Sequence, residues 1–153
     1  MSKYNSKKVY AVERDGIWYD FGTLTEALRY CDSYGLKAED VLIFDSRKEY
    51  RRWGVLLEQE RLSAIYNLQR QVPYTLVPAQ YEEYLVTGKR SSKMKRRRLE
   101  APIFYKADFV YSLKDGTVVV EDVKSNATRK LPDYVMKRKL MLYVHGIKLK
   151  EII

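Results

Sequence analysis

Four charged residues lie inside two stretches that otherwise have the composition of β-strands. Asp108 interrupts a run rich in aromatic and β-branched residues, and Glu121, Asp122 and Lys124 end the next run. Burying such groups costs several kcal/mol unless an opposite charge or a hydrogen bond compensates them. Carboxylate oxygens are the ligands that Mg²⁺ and Mn²⁺ prefer, so a divalent cation is one partner that would explain these residues.

The two runs are predicted to form a β-hairpin over residues 104–124. An Asp-Gly pair between such runs is a strong short-range hairpin signal. If residues 114–116 form a three-residue loop with Gly116 in the left-handed conformation, counting back along both strands places Asp108 opposite Asp122. This register brings the two carboxylates to one face.

The same register decides which other side chains join that face. Because side chains alternate along a strand, Lys124 joins Asp108 and Asp122, whereas Glu121 points to the opposite face, where we expect a solvent-facing or structural role. A two-residue loop would separate Asp108 from Asp122. For Asp122 and Lys124 alone, the alternative interpretation is an exposed ion pair on an edge strand.

Helices and strands are predicted on both sides of the hairpin. A capping-box sequence beginning at Ser46 opens a helix, and a strand candidate follows at 69–77, where Pro73 indicates an edge or irregular course. After the hairpin, a helix from Pro132 to about residue 144 leads into a C-terminal strand. The order from Ser46 is therefore helix, strand, strand, strand, helix, strand.

The N-terminal part adds its own elements. Residues 8–12 and 17–21 are predicted to form a small hairpin, and a helix over 24–34 is capped by Thr23 or Thr25 and ended by Gly35.

The charge of the chain indicates a polyanionic partner. Its 153 residues carry 29 Lys and Arg against 20 Asp and Glu, for a net charge of +9. Residues 89–98 contain no acid, and we expect a flexible basic loop over 88–100 that contacts nucleic acid, is simply solvated, or does both. The basic residues of this run are Lys89, Arg90, Lys93, Lys95, Arg96, Arg97 and Arg98.

Composition also excludes several classes of site. With Cys31 as its one cysteine and His145 as its one histidine, the chain has no internal disulfide, no cysteine-based zinc site and no evident Cys/His nucleophile pair. No run approaches the roughly 20 apolar residues of a membrane span, and the first residues lack the apolar region of a signal peptide. We expect a single cytoplasmic domain over 1–153 without a membrane partner.

The element order and the charged residues together resemble the core of the PD-(D/E)xK nuclease superfamily. This superfamily includes type II restriction enzymes and archaeal Holliday junction resolvases. Asp122-Val123-Lys124 matches its acid-x-Lys element and Asp108 its upstream acid, although Ala107 stands where proline is usual. The resemblance implies an α/β, restriction-endonuclease-like fold with a mixed sheet flanked by helices.

A second resemblance covers about three-quarters of the chain. It is to a family of small phage and prophage proteins that are described only as phage-related endonucleases or as proteins of unknown function. The stretches that carry it are 3–8, 44–53, 68–69, 105–111 and 119–124, in that order. It implies a phage- or prophage-encoded protein of a bacterial host cell.

One departure from that family concerns the first helix. Two helices, one bearing Glu26 and the other Glu49, compete for its role. We assign the role to Glu49, because Leu68-Gln69 follows it at the expected distance. Residues 1–43 then form an N-terminal arm with a hairpin and helix insertion at 18–43, and 44–153 form the catalytic core.

The resemblance implies roles for the residues of the site. Asp108 and Asp122, with the carbonyl of Val123 and with Glu49, would hold one or two Mg²⁺ or Mn²⁺ ions. Lys124 would orient or deprotonate the attacking water or stabilise the charged phosphorane. Gln69 would touch the scissile phosphate or its water. Glu49 alternatively only caps its helix, and Gln69 is alternatively an ordinary strand amide.

The last helix offers further phosphate contacts. Tyr134, Lys137 and Arg138 share one helical face near Lys130, and the alternative is a solvated surface. The function implied is a structure-specific endonuclease for branched DNA, such as a Holliday junction, acting as a homodimer in phage recombination or repair. The competing classes are a non-catalytic nucleic-acid binder and a sequence-specific restriction-type enzyme.

Overall fold

The protein is mixed α/β and divides into two compact units. The computed structural model describes residues 7–153, and the units are Met1–Ala64 and Ile65–Ile153. The first six residues of the expected N-terminal arm lie outside the described residues. The sequence indicated one domain with a core beginning at residue 44, whereas the division falls after Ala64, so the helix bearing Glu49 belongs to the first unit.

The first unit combines a three-stranded sheet with two helices. Its sheet has the order β2-β1-β3, with β1 and β2 forming the predicted N-terminal hairpin. The elements are β1 (Val9–Arg14), β2 (Ile17–Phe21), α1 (Leu24–Tyr34), β3 (Leu42–Phe44) and α2 (Arg47–Arg61).

Local signals explain where α1 begins and ends. The Thr23 hydroxyl accepts a hydrogen bond from the Glu26 amide and the Glu26 carboxylate accepts one from the Thr23 amide, which together form a capping box. Gly35 ends the helix with a left-handed φ of 67°. Glu26 therefore has a local structural role, and the choice of Glu49 over Glu26 as the helical acid stays a prediction.

The second unit is built on a four-stranded sheet of order β4-β7-β8-β9. The first three strands are antiparallel neighbours, and β9 pairs in parallel with β8 after the chain has passed through α3. β4 is an edge strand, as Pro73 indicated. The elements are β4 (Ile65–Val77), β5 (Gln80–Thr87), β6 (Ser92–Glu100), β7 (Ile103–Leu113), β8 (Val118–Val123), α3 (Pro132–His145) and β9 (Lys150–Ile152).

The core of the second unit lies between this sheet and α3. Hydrophobic residues of β4, β7 and β8 pack against Tyr134 and Met141 of α3. The buried members are Leu76, Tyr105, Ala107, Val120, Tyr134, Met141 and Leu149. Ala107 and Val120 of this core lie close in sequence to Asp108 of β7 and Asp122 of β8.

The predicted three-residue turn is confirmed. The Leu113 amide donates to the Thr117 carbonyl at 2.8 Å, and Gly116 has a φ of 85°. Phe109 consequently pairs with Glu121, and the next step back along both strands reaches Asp108 and Asp122. The turn thus sets the register that the candidate site requires.

The prediction of a flexible basic loop over 88–100 is wrong for residues 92–100, and only residues 88–91 form a loop. Residues 92–100 form strand β6, which pairs antiparallel with β5. Cross-strand partners stabilise this strand despite its charge, since Arg96 lies over the Tyr81 ring at 3.8 Å and Arg97 forms an ion pair with Glu82. The composition of the run concealed these partners, because they come from another strand.

Within residues 7–153, none of the helices is long and apolar enough to cross a membrane.

Candidate active site

Asp108 lies where the ladder between β7 and β8 ends. After Phe109 and Glu121, the amide of Val123 donates to Asp108 Oδ2 at 2.7 Å. The side-chain amide of Gln71 approaches Asp108 Oδ1 at 3.5 Å from the neighbouring strand β4. The carboxylate of Asp108 therefore sits beside the backbone next to Asp122.

Asp122 is a buried carboxylate with an incomplete set of partners. It is 1% exposed, and Lys124 Nζ donates to its Oδ1 at 2.8 Å. Its Oδ2 is buried and accepts no hydrogen bond from residues 7–153. Because β8 lies between β7 and β9, the pair is not an exposed ion pair on an edge strand. The predicted common face of Asp122 and Lys124 is confirmed.

Two tyrosines enclose Asp122. Burial raises the pKa of Tyr105 far above its usual value, and the charges of Asp122 and, more weakly, Asp108 raise it further. Burial also raises the pKa of Tyr134, and Asp122 adds to the effect. Lys124 Nζ lies 5.3 Å from the centre of the Tyr134 ring. Sequence reasoning missed Tyr105, whose place in an alternating strand looks like that of any core residue.

Glu121 has a structural role on the other side of the sheet. Its carboxylate is fully buried, accepts a hydrogen bond from the Tyr111 hydroxyl at 2.6 Å and pairs with Lys150 Nζ at 2.9 Å. The hydrogen bond to Glu121 raises the pKa of Lys150. Of the two roles expected for Glu121, the solvent-facing one is therefore wrong.

Glu49 is buried at the start of α2 in the first unit. Its carboxylate accepts a hydrogen bond from the Asp45 amide at 3.0 Å, and its own amide donates to Ser46 Oγ at 3.1 Å. These contacts form a local cap at the helix start. Since Asp108 and Asp122 belong to the second unit, a contribution of Glu49 to the metal site stays a prediction.

The glutamine beside Asp108 is Gln71, not Gln69. Gln69 is exposed and pairs with Val110, whereas Gln71 approaches the carboxylate. β4 has a register shift between Tyr66 and Gln69, and Gln71 has a φ of 53°. The two glutamines lie two residues apart in a strand, so alternation alone did not distinguish them.

Comparison with known proteins places the chain in a family. A family model described as "Protein of unknown function (DUF1064)" matches residues 32–153. The chain belongs to the DUF1064 family. The match begins inside α1 and includes all the strands of the second unit. No curated protein and no solved structure matches.

In this DUF1064 protein, Glu151 holds two of the predicted phosphate-binding residues. Tyr134 Oη donates to Glu151 Oε1 at 3.0 Å, and Arg138 Nη1 donates to the same oxygen at 2.8 Å. Lys130 is exposed and Lys137 is half-buried. Sequence reasoning missed Glu151 because it lies on β9, far along the chain from the residues it binds. Phosphate contacts by α3 stay a prediction.

The side chains around Asp108 and Asp122 offer few ligands for a divalent cation. Residues 7–153 contain no group of three or more His, Cys, Asp or Glu side chains placed to hold a metal ion. Mg²⁺ does not require such a group, because it keeps several waters and takes one or two carboxylates. Asp108, and Asp122 whose Oδ2 accepts no hydrogen bond from residues 7–153, supply two such carboxylates.

Proposed function

We propose that this DUF1064 protein is a metal-dependent DNA endonuclease with a restriction-endonuclease-like PD-(D/E)xK core. The connectivity of the second unit supports the proposal. Three antiparallel strands are followed by α3 and a parallel fourth strand, and α2 precedes them in the chain. The acids lie on the second and third of these strands, β7 and β8, as in the core that the sequence resembles.

The buried carboxylate of Asp122 is the observation that carries the proposal. A structural ion pair would not require a carboxylate that is 1% exposed, enclosed by Tyr105 and Tyr134, and whose Oδ2 accepts no hydrogen bond within the described residues 7–153. Such a group is costly in the folded state unless it has a ligand. Asp108 beside Val123 and Lys124 on Asp122 supply the rest of a phosphodiesterase site.

Each residue then has a role in hydrolysis. Asp108, Asp122 and the Val123 carbonyl would hold Mg²⁺ or Mn²⁺, which would supply positive charge beside the phosphate and help to activate a water. Lys124 orients the attacking water or stabilises the charge that develops on phosphorus. Tyr105 and Tyr134 exclude solvent around Asp122, which strengthens these electrostatic interactions.

The proposed substrate is branched DNA in phage recombination or repair in a bacterial host cell. A chain of 153 residues has little beyond such a core with which to read a base sequence. Cutting a junction needs paired incisions and therefore two active sites, so the proposed acting form is a homodimer.

Cleavage assays with defined metals test this proposal. The protein is incubated with supercoiled plasmid and with a four-way junction in Mg²⁺, Mn²⁺ or EDTA. We expect metal-dependent cleavage that Asp108→Ala and Lys124→Ala abolish, whereas Lys114→Ala, an exposed lysine of the same hairpin, cleaves like the wild type. If the wild type cleaves no DNA with either metal, the enzyme proposal is wrong.

A second candidate is a non-catalytic nucleic-acid binder on the same fold. The net charge of +9 favours it, because a polyanion binds to such a chain whether or not a metal is present. A binder would hold junction DNA equally well in Mg²⁺ and EDTA and would cleave it in neither. A sequence-specific restriction-type enzyme would instead produce discrete fragments from a long linear duplex.

A further inference from the structure

The hairpin formed by β5 and β6 is an exposed ribbon with no core of its own. The two strands pair only with each other in the part of the chain that the structure describes. Every residue from 80 to 100 is exposed except Glu82, which is half-buried. A two-stranded hairpin of this kind is at best marginally stable in water, so a bound partner would stabilise it.

The ribbon concentrates positive charge on one strand. Residues 80–100 contain seven Lys and Arg against three Glu, a net charge of +4 out of +9 for the chain. Five of these cations lie between Lys93 and Arg98 on β6. Cations so close together repel one another, and the ion pair of Arg97 with Glu82 offsets only part of that repulsion. A polyanion is therefore the partner that the charge favours.

The register divides the cations between two faces. Lys93, Lys95 and Arg97 alternate along β6 and share one face, with Val86, Tyr84 and Glu82 opposite them. Arg96 and Arg98 share the other face. Neighbouring cations on one face are about 6.8 Å apart along the strand, which equals two base-pair steps of about 3.4 Å.

The two tyrosines of β5 do not form a stacking surface for single-stranded bases. Tyr81 lies on the face of Arg96 and Tyr84 on the face of Arg97, so the rings point to opposite sides of the ribbon. The guanidinium of Arg96 covers the Tyr81 ring at 3.8 Å, and that of Arg97 lies 5.5 Å from the Tyr84 ring. Successive bases need adjacent free rings, and this arrangement favours duplex over single-stranded DNA.

We propose that the β5–β6 ribbon is an arm that enters the major groove of double-stranded DNA. Lys93, Lys95 and Arg97 contact every second phosphate along one strand. The major groove is about 12 Å wide and admits a two-stranded β-ribbon, whereas the minor groove is about 6 Å wide. The inference rests on the proposed function and deepens it, because it assigns duplex segments to the substrate beside the position of cleavage.

Salt-dependent binding tests the arm. The affinity for a fluorescent duplex is measured in EDTA over a range of salt concentrations for the full chain, for K93Q/K95Q/R97Q and for the matched variant of the other face, R96Q/R98Q. We expect the triple variant to lose about 2.7 units of the slope of log K against log salt, since each lost phosphate contact removes about 0.9. The double variant should lose less than about 1 unit.

The arm proposal is wrong if the triple variant keeps the wild-type slope of log K against log salt, or if the double variant loses as much slope per removed charge as the triple variant. It is also wrong if the protein binds single-stranded DNA or RNA more tightly than duplex DNA. A change of oligomeric state in the triple variant, seen by light scattering, would identify the ribbon as an interface between chains. If the triple variant fails to fold by circular dichroism, a wild-type slope shallower than about −2.7 decides against the arm.

The binding assay in EDTA also separates the two proposals. If the wild type cleaves no DNA but the triple variant loses the salt-dependence slope, the nuclease proposal is wrong and the arm proposal stands. If the wild type cleaves DNA but the slope of the triple variant is unchanged, the arm proposal is wrong and the nuclease proposal stands.

Discussion

Asp122 shows how one residue trades stability for a candidate activity. Its carboxylate is buried on an interior strand, and the described part of the chain supplies a partner for Oδ1 but not for Oδ2. The side chain of Lys124 is 25% exposed, so its ammonium group is hydrated even when Asp122 is replaced. The carboxylate of Asp122 is 1% exposed and has almost no contact with water. The charge of Asp122 is therefore a cost that a bound cation would offset.

Replacing Asp122 by asparagine should stabilise the metal-free protein while removing its metal response. Relief of about 1 kcal/mol would raise Tm by about 2–4 °C in EDTA. Saturating Mg²⁺ should raise the Tm of the wild type but not of Asp122→Asn, because only a folded site binds the ion. Asp115→Asn, an exposed acid in the turn, should keep the wild-type response. A lower Tm for Asp122→Asn in EDTA would contradict this account of the buried charge.

Gln71→Ala and Gln69→Ala serve as a test variant of the candidate site and its matched control. Gln71→Ala should reduce kcat by roughly 10-fold, because its amide supports Asp108 from β4. Gln69→Ala should leave kcat within about 2-fold of the wild type, since its side chain is exposed beside Val110. Single-turnover cleavage of the same DNA measures both variants. The reverse order of effects would restore the sequence-based assignment of Gln69.

At the scale of elements, the turn between β7 and β8 controls the register. Gly116 takes a φ of 85°, and a Cβ there would meet nothing within 4 Å. Gly116→Ala should therefore destabilise the protein through its backbone conformation alone, by about 1 kcal/mol. Gly54→Ala, inside α2 and also without a contact for its Cβ, should stabilise by about 0.5–1 kcal/mol. Urea unfolding followed by circular dichroism checks both signs.

The contact between β8 and β9 should weaken at alkaline pH. The hydrogen bond to Glu121 holds the pKa of Lys150 above its usual value of 10.5. A raised lysine pKa contributes stability that is complete below the unfolded-state pKa and is lost as the pH rises through the folded-state value. The Tm of the wild type should thus fall more steeply above about pH 10.5 than that of Lys150→Met, which lacks this proton. Parallel Tm curves for the two proteins would exclude the linkage.

At the scale of the whole molecule, charge should govern how the DNA is bound. The net charge is +9, and nearly half of it lies on the β5–β6 ribbon. Ion release makes DNA binding depend strongly on salt, whereas the chemical step of the proposed enzyme would depend on the carboxylates of Asp108 and Asp122.

Raising the salt concentration from about 50 to 200 mM should therefore raise KM for plasmid by at least about 10-fold and leave kcat within about 2-fold. Steady-state kinetics at several salt concentrations measure the two constants separately. A fall in kcat at constant KM would show that salt acts on the catalytic site instead of on binding.

The positions and register of elements with local sequence signals could be predicted without the structure. The Asp-Gly turn gave the register of β7 and β8 because three residues and one left-handed glycine define it. The helix ends could be predicted for the same reason, from the capping sequences at Thr23 and Ser46 and from the glycines that end α1 and α3. Asp122 and Lys124 could be put on one face from alternation alone.

Contacts between residues that are distant in the chain could be identified only from the folded structure. The pairing of β4 with β7 placed Gln71, not Gln69, beside Asp108, and Glu151 of β9 took Tyr134 and Arg138 as partners. The basic run became a strand because β5 supplied its hydrogen bonds and rings, which composition does not reveal. Glu121 and Asp122 are buried, and Asp108 and Lys124 are half-buried, because packing, not local propensity, sets their surroundings.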